Sequence, residues 1–380
     1  MRVISKLFDS DRRRIPKSPK HLDSGESATS SSSLSDVTTG SSSLHSSLSL
    51  QTLPSVPSLQ KIPSTTVTVS HSVTSSFKLR ERSLPVTCLA VNGGYLFAVS
   101  GHEVSIYDRD MCAHLDTFNG QDPFSGTVKS VGFSGEKIFT AHQDVRRHKK
   151  RLWIEHADAV TALAVNDGFI YSVSWDKTLK IWRASDLRCK ESIKAHDDAV
   201  NAIAVSTNGT VYTGSADRRI RVWAKPTGEK RHTLVATLEK HKSAVNALAL
   251  NDDGSVLFSG SCDRSILVWE REDTSNYMAV RGALRGHDKA ILSLFNVSDL
   301  LLSGSADRTV RIWRRGPDSS YSCLEVLSGH TKPVKSLAAV REKELDDVVS
   351  IISGSLDGEV KCWKVSVTKP DNSFYTNLVQ

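Results

Sequence analysis

Three residue types that together can perform hydrolysis recur along this chain. His156 is followed by Ser172 and Asp176, His196 by Thr213 and Asp217, His241 by Ser259 and Asp263, His287 by Ser303 and Asp307, and His330 by Ser353 and Asp357. An imidazole, a hydroxyl and a carboxylate are the parts of an activated nucleophile. Their spacing argues against that use. In each set the hydroxyl residue lies ten positions before a tryptophan and the Asp six before it, at Trp182, Trp223, Trp269, Trp313 and Trp363. A catalytic set occurs once, beside an oxyanion hole, whereas five copies at one spacing mark a structural unit. What such a set does provide is a hydrogen-bond relay. The indole N–H only donates, the hydroxyl donates and accepts, the imidazole bridges and the carboxylate accepts. Buried, the relay must be complete, because each group left unpaired costs about 1–3 kcal/mol.

The elements that would position these residues are short strands. The five tryptophans are separated by 41, 46, 44 and 50 residues. One unit shows the pattern. Gly286-His287 opens it, and Ala290–Phe295 and Leu300–Ser305 read as strands. Ala306-Asp307-Arg308 is a tight turn, Thr309–Trp313 alternates as a third strand, and Leu324–Leu327 supplies a fourth before Gly329-His330 begins the next unit. A period of about 40 to 45 residues with one Trp per unit predicts propeller blades.

Two weaker units precede the five. The first runs from Val86 through Leu96–Ser100 to Tyr107, which stands where the others have Trp. The second runs from Val128 through Lys137–Ala141 to Asp144. The prediction is therefore an all-β, seven-bladed propeller over 73–367, with tails at 1–72 and 368–380. The second blade is expected to be incomplete: Asp144 is followed by Val145–Trp153 and then at once by His156, so one strand of text is missing. Splicing or a gene-model error would explain the gap. Ser75–Arg80 is expected to close the ring as the outer strand of the last blade, because an open blade leaves an exposed edge.

The Gly-His, Ser-Gly-Ser-x-Asp and strand-Trp text resembles the WD-repeat family, although none of the five tryptophans is followed by Asp. Over about residues 75 to 367 the array is similar to plant WD-repeat proteins of the Jingubang type. The resemblance implies a non-enzymatic scaffold or adaptor that binds other proteins, with a regulatory role in nucleus and cytoplasm that includes transcription regulators. It also implies a binding face. Carried over by position, that face holds the residue before each turn Asp, namely Gln143, Trp175, Ala216, Cys262, Ala306 and Leu356, with Trp175 standing out as a candidate hot spot. It also holds the fifth residue after each His, namely Thr161, Asn201, Asn246, Leu292 and Lys335, with Thr87 and Lys129 in the weaker units. An alternative is a substrate receptor of a cullin-RING ubiquitin ligase, but its Trp-Asp/Glu-x-Arg/Lys signal is spoilt here, since Trp269-Glu270 is followed by Glu272. Similar propellers accompany some myosin-heavy-chain kinases, yet no kinase text occurs.

Composition sets the remaining bounds. Serine dominates Ser24 to Ser58, which predicts a disordered tail. Within it Arg12-Arg13-Arg14 precedes Ser18-Pro19, a candidate proline-directed phosphorylation site at Ser18. The six cysteines form no C-x-x-C pair, so neither zinc nor a disulfide framework is expected, and no cofactor is implied. No apolar run reaches the roughly 18 residues of a membrane span. The net charge of +7 is mild, and the basic run Arg146–Arg151 lacks interleaved aromatics, so direct nucleic-acid binding is not expected.

Overall fold

A computed structural model describes residues 2–4, 56–61, 68–79, 84–119, 126–143, 156–272, 278–316, 318–342 and 347–368. The chain divides into Met1–Lys6 with Ser55–Gln380, and Leu7–Pro54; every described residue belongs to the first unit. The regular elements among them are all β-strands, and no helix is long and apolar enough to cross a membrane.

The strands form seven sheets. Numbered around the ring, the first contains Val86–Asn92, Tyr95–Ser100, Glu103–Asp108 and His114–Asn119, and the second Val128–Ser134 and Lys137–His142. The third contains Val160–Asn166, Phe169–Ser174, Thr178–Arg183 and Cys189–Lys194, and the fourth Val200–Val205, Val211–Ser215, Ile220–Ala224 and Thr233–Leu238. The fifth contains Val245–Leu250, Val256–Ser261, Ile266–Arg271 and Met278–Leu284, and the sixth Ile291–Val297, Leu300–Ser305, Val310–Arg315 and Tyr321–Leu327. The seventh contains Val334–Arg341, Val348–Ser355, Glu359–Thr368 and Thr68–Lys78.

Six of these sheets are complete blades, not the seven expected from the sequence. The second has only two strands of its own, and its third is Arg2–Ile4, which pairs antiparallel with Ile138–Thr140. Among the described residues no strand lies between Lys137–His142 and Val160–Asn166, and the expected shortage of text after Asp144 falls in that interval.

The segment expected to be disordered up to residue 72 also differs. It contributes Arg2–Ile4, Gln60–Lys61 and the start of Thr68–Lys78. Val73, which pairs with Trp363, and Ser72, which pairs with Lys364, lie in that last strand, and it closes the seventh sheet antiparallel to Glu359–Thr368. Ser18, Arg146–Arg151 and the C-terminal residues 369–380 lie outside the described residues.

The core sits between the sheets. Seven apolar clusters exist among the described residues, and each joins two neighbouring sheets around the ring. This explains the fully buried strands such as Leu300–Ser305: both faces meet another sheet. Ring closure depends on close approach. Val86 of the first sheet seats on Gly354 of the seventh, where an added Cβ would lie 2.6 Å from Val86 Cγ1. The Leu89 N–H also donates to Ser336 Oγ at 2.7 Å.

Candidate protein-interaction face

The relay residues meet inside five sheets. His156 Nε2 lies 2.7 Å from Ser172 Oγ, and its Nδ1 lies 2.8 Å from Asp176 Oδ2; Trp182 Nε1 donates to the same Ser172 oxygen at 2.8 Å. The set His196, Thr213, Asp217 and Trp223 closes with distances of 2.8, 2.9 and 3.0 Å. His241, Ser259, Asp263 and Trp269 close with 2.8 Å throughout. His287, Ser303, Asp307 and Trp313 follow at 2.8, 2.7 and 2.9 Å, and His330, Ser353, Asp357 and Trp363 at 2.9, 3.2 and 2.9 Å. All five hydroxyl residues are fully buried. A nucleophile has to reach its substrate, and these oxygens are sealed and already engaged.

Burial by itself would raise the Asp176 carboxyl, but hydrogen bonds from His156, Thr178 and the Ala157 N–H outweigh it and hold the group below the usual carboxylate range. Asp217 is likewise held at about 2, against burial, by His196 and backbone N–H groups. Burial pushes His156 and His330 down, which favours the neutral ring. His330, Asp357 and Glu359 form a cluster with ligand-like spacing. Two of its members are the relay pair, and Glu359 is bridged to Lys361 at 3.2 Å, so the protein itself satisfies the three.

Sequence reasoning missed the second hydroxyl of each Ser/Thr-x-Ser. Ser174, Ser215, Ser261, Ser305 and Ser355 are buried, donate to carbonyls ahead of the inner strand, and accept the N–H of the turn Asp. The repeated text carried that signal. In the second sheet Thr140 takes the relay hydroxyl position, and its Oγ1 lies 2.9 Å from His142 Nε2. In the first sheet Tyr107 replaces Trp and is buried.

The relay fixes a turn at one end of each sheet, and that end carries the candidate face. The residue before each turn Asp donates its N–H to the residue that precedes the inner strand. Trp175 donates to Ala159 at 3.0 Å, Ala216 to Ala199, Cys262 to Ala244 and Ala306 to Ala290 at 2.9 Å, and Leu356 to Pro333 at 3.0 Å. Gln143 donates to Thr127 at 2.9 Å, although its sheet is incomplete. Six side chains of five kinds are thus presented from equivalent backbone. Ala216, Ala306 and Leu356 are half-buried, whereas Gln143 and Cys262 are exposed and Trp175 is 42% exposed.

The second set lies at the same end. Each inner strand carries a bulge at its second residue, which is Thr87, Lys129, Thr161, Asn201, Asn246, Leu292 or Lys335. Four of these side chains stitch one sheet to the next. Thr87 Oγ1 donates to Val128 O at 2.9 Å, Thr161 Oγ1 to Val200 O at 2.7 Å, Asn201 Nδ2 to Val245 O at 3.1 Å, and Asn246 Nδ2 to Ile291 O at 3.0 Å. Leu292 is half-buried and has no donor to offer. Lys335 keeps solvent contact but stands among protein atoms; desolvation and the nearby Lys129 push its ammonium down, and burial does the same to Lys129.

The repeat model described as WD domain, G-beta repeat matches residues 148–183, 187–224, 232–270, 279–314 and 321–364, about half of the chain. This chain belongs to the WD-repeat family. Among solved structures it is similar to the WD40 beta propeller domain of Doa1, with a TM-score of 0.62 and 22% identity over 77% of this chain and 97% of that one. At that identity the likeness shows the fold. The WD-repeat matches span the third to sixth sheets and most of the seventh; the two sheets with weak relays lie outside them.

Proposed function

We propose that this WD-repeat chain is a non-enzymatic protein-interaction scaffold with a regulatory role in the cytoplasm and nucleus, binding partners that include transcription regulators on the face around Trp175. One observation carries the choice of face: among six side chains presented by equivalent backbone, the largest apolar one stands 42% exposed. An exposed Trp ringed by smaller groups matches the make-up of interface hot spots. Lys129 and Lys335, mutually repelling at the same end of the ring, favour a partner that brings acidic groups.

The ubiquitin-ligase receptor reading draws less support. Glu270, the residue such a receptor would present after Trp269, is held by Arg281 at 3.0 Å and Arg315 at 2.6 Å. Affinity purification of the wild type beside Trp175→Ala tests the proposal. Loss of a defined set of partners from the variant is expected; recovery of identical partners rejects this face. Capture of the ligase adaptor by both proteins would favour the receptor reading.

A further inference from the structure

The fifth and sixth sheets meet at a seam that holds an extra piece of chain. Residues 56–60 run along the outer strand Met278–Leu284 on one side and Tyr321–Leu327 on the other. The Leu59 N–H donates to Ala283 O at 3.1 Å, and the Ala283 N–H donates to Pro57 O at 2.9 Å. The Tyr321 N–H donates to Leu59 O at 3.0 Å, and Gln60 pairs parallel with Tyr321. One short segment therefore satisfies the open edges of two blades at once.

Side chains add selectivity. Leu59 packs against the apolar cluster of the fifth and sixth sheets, to which the fully buried Trp313 belongs. It occupies the space a Cβ would take at Gly282, and Pro57 O closes on the same point at 2.9 Å. Arg285 clamps the segment: its N–H donates to Gln60 Oε1 and its Nη2 to Val56 O, both at 3.0 Å.

Gly282 is singular. It pairs with Val268, the residue before the relay Trp. The matching outer-strand residues are Asp116, Glu191, Ala236, Glu325 and Ser75 in the other complete blades. Only the fifth blade omits a side chain there, and only that seam receives a leucine from outside among the described residues.

We propose that this seam is a peptide-binding slot for an extended partner segment that places a leucine over Gly282, and that Val56–Lys61 fills it in cis. This deepens the scaffold reading by naming a second docking site and the chemistry of its partner. The cis segment is displaceable by its construction. It holds on through a short run of backbone pairing, two apolar side chains, Val56 and Leu59, and one arginine clamp, against the entropy of ordering about six residues. A depression of about 520 Å3 lined by Ser58, Gln60, Glu270 and Arg281 borders the slot and leaves room for a longer guest.

The test uses the full chain and a fluorescent peptide with the sequence of residues 56–61. Leu59→Asp empties the slot, and Leu59→Asp with Gly282→Leu also fills its pocket. Anisotropy should show the peptide binding Leu59→Asp at least tenfold tighter than wild type, with binding lost in the double variant. In Leu59→Asp, hydrogen exchange should accelerate at the Ala283 and Tyr321 amides and slow again on adding the peptide. Equal binding to wild type and Leu59→Asp, no binding up to millimolar peptide, or retained binding in the double variant would overturn the slot. Trp175→Ala should leave peptide behaviour unchanged, so failure here and failure of the Trp175 face are told apart.

Discussion

Thirteen buried apolar side chains fill the seam between the sixth and seventh sheets, and four fill the seam between the second and third, among the described residues. The sheets of the thick seam each carry a complete relay, and it includes Trp363. The thin seam has Trp182 on one side only; across from it stand Phe139 and the substitute pair Thr140–His142. A closed ring tolerates one poor sheet because its neighbours hold it from both sides, and an extra strand, Arg2–Ile4, covers its edge. The regular blades have no such freedom, since each polar relay is buried and must stay complete.

Truncating tryptophans should break this comparison first. Trp313→Ala, in a fully buried site, is expected to cost about 3–5 kcal/mol, and Trp182→Ala at the thin seam distinctly less, because that site can collapse. Urea unfolding measures both, and equal costs would mean that the thin seam is packed as tightly as the others. Next, Gly354→Ala should cost about 1–3 kcal/mol, since the new methyl meets a Val86 that cannot retreat. Gly132→Ala, whose Cβ would meet Val165 Cγ2 at 3.0 Å, should cost less because the neighbour can give. The same unfolding series ranks them.

His287→Ala should cost about 1–3 kcal/mol by leaving Ser303 and Asp307 short of a partner. His142→Ala should cost less, about 1 kcal/mol, because it releases the Thr140 hydroxyl and the Gly126 carbonyl, whereas His287 releases a hydroxyl and a carboxylate.

Acid should act on the regular blades. Buried His156 and His330 are held below their ordinary value, so the unfolded chain takes up protons first and stability falls as the pH drops below about 6.5. A second loss should follow between about pH 4 and 2, as Asp217 gives up a charge that the native state favours. Melting temperatures by circular dichroism across pH would show a flat profile if the relays contributed nothing. The smallest effect on stability is expected for Trp175→Ala, within about 0.5 kcal/mol, because the side chain is exposed. A larger drop in the melting temperature would show that Trp175 supports its neighbours.

The five relays could be read because each lies within a few dozen residues of continuous text, where spacing alone brings side chains to one place. The bulge residues illustrate the opposite case. Their position could be carried over by alignment, but the stitch from Thr161 to Val200 or from Asn246 to Ile291 depends on how one sheet leans on the next. The exposure of Trp175 belongs to the same category: the sequence placed it before a turn Asp, and only the packed ring leaves it uncovered.

By itself the sequence determined the strand-turn-strand unit, its hydrogen-bond relay and the strand shared between the two ends of the array, because turn residues and alternation act over short distances. Tertiary structure decided that Arg2–Ile4 edges the second sheet and that Val56–Lys61 lies between two blades. Those pairings use backbone groups that every residue carries, so nothing in the side-chain text announces them; only the open strand edges and the gap over Gly282, once the ring exists, select where the extra chain goes.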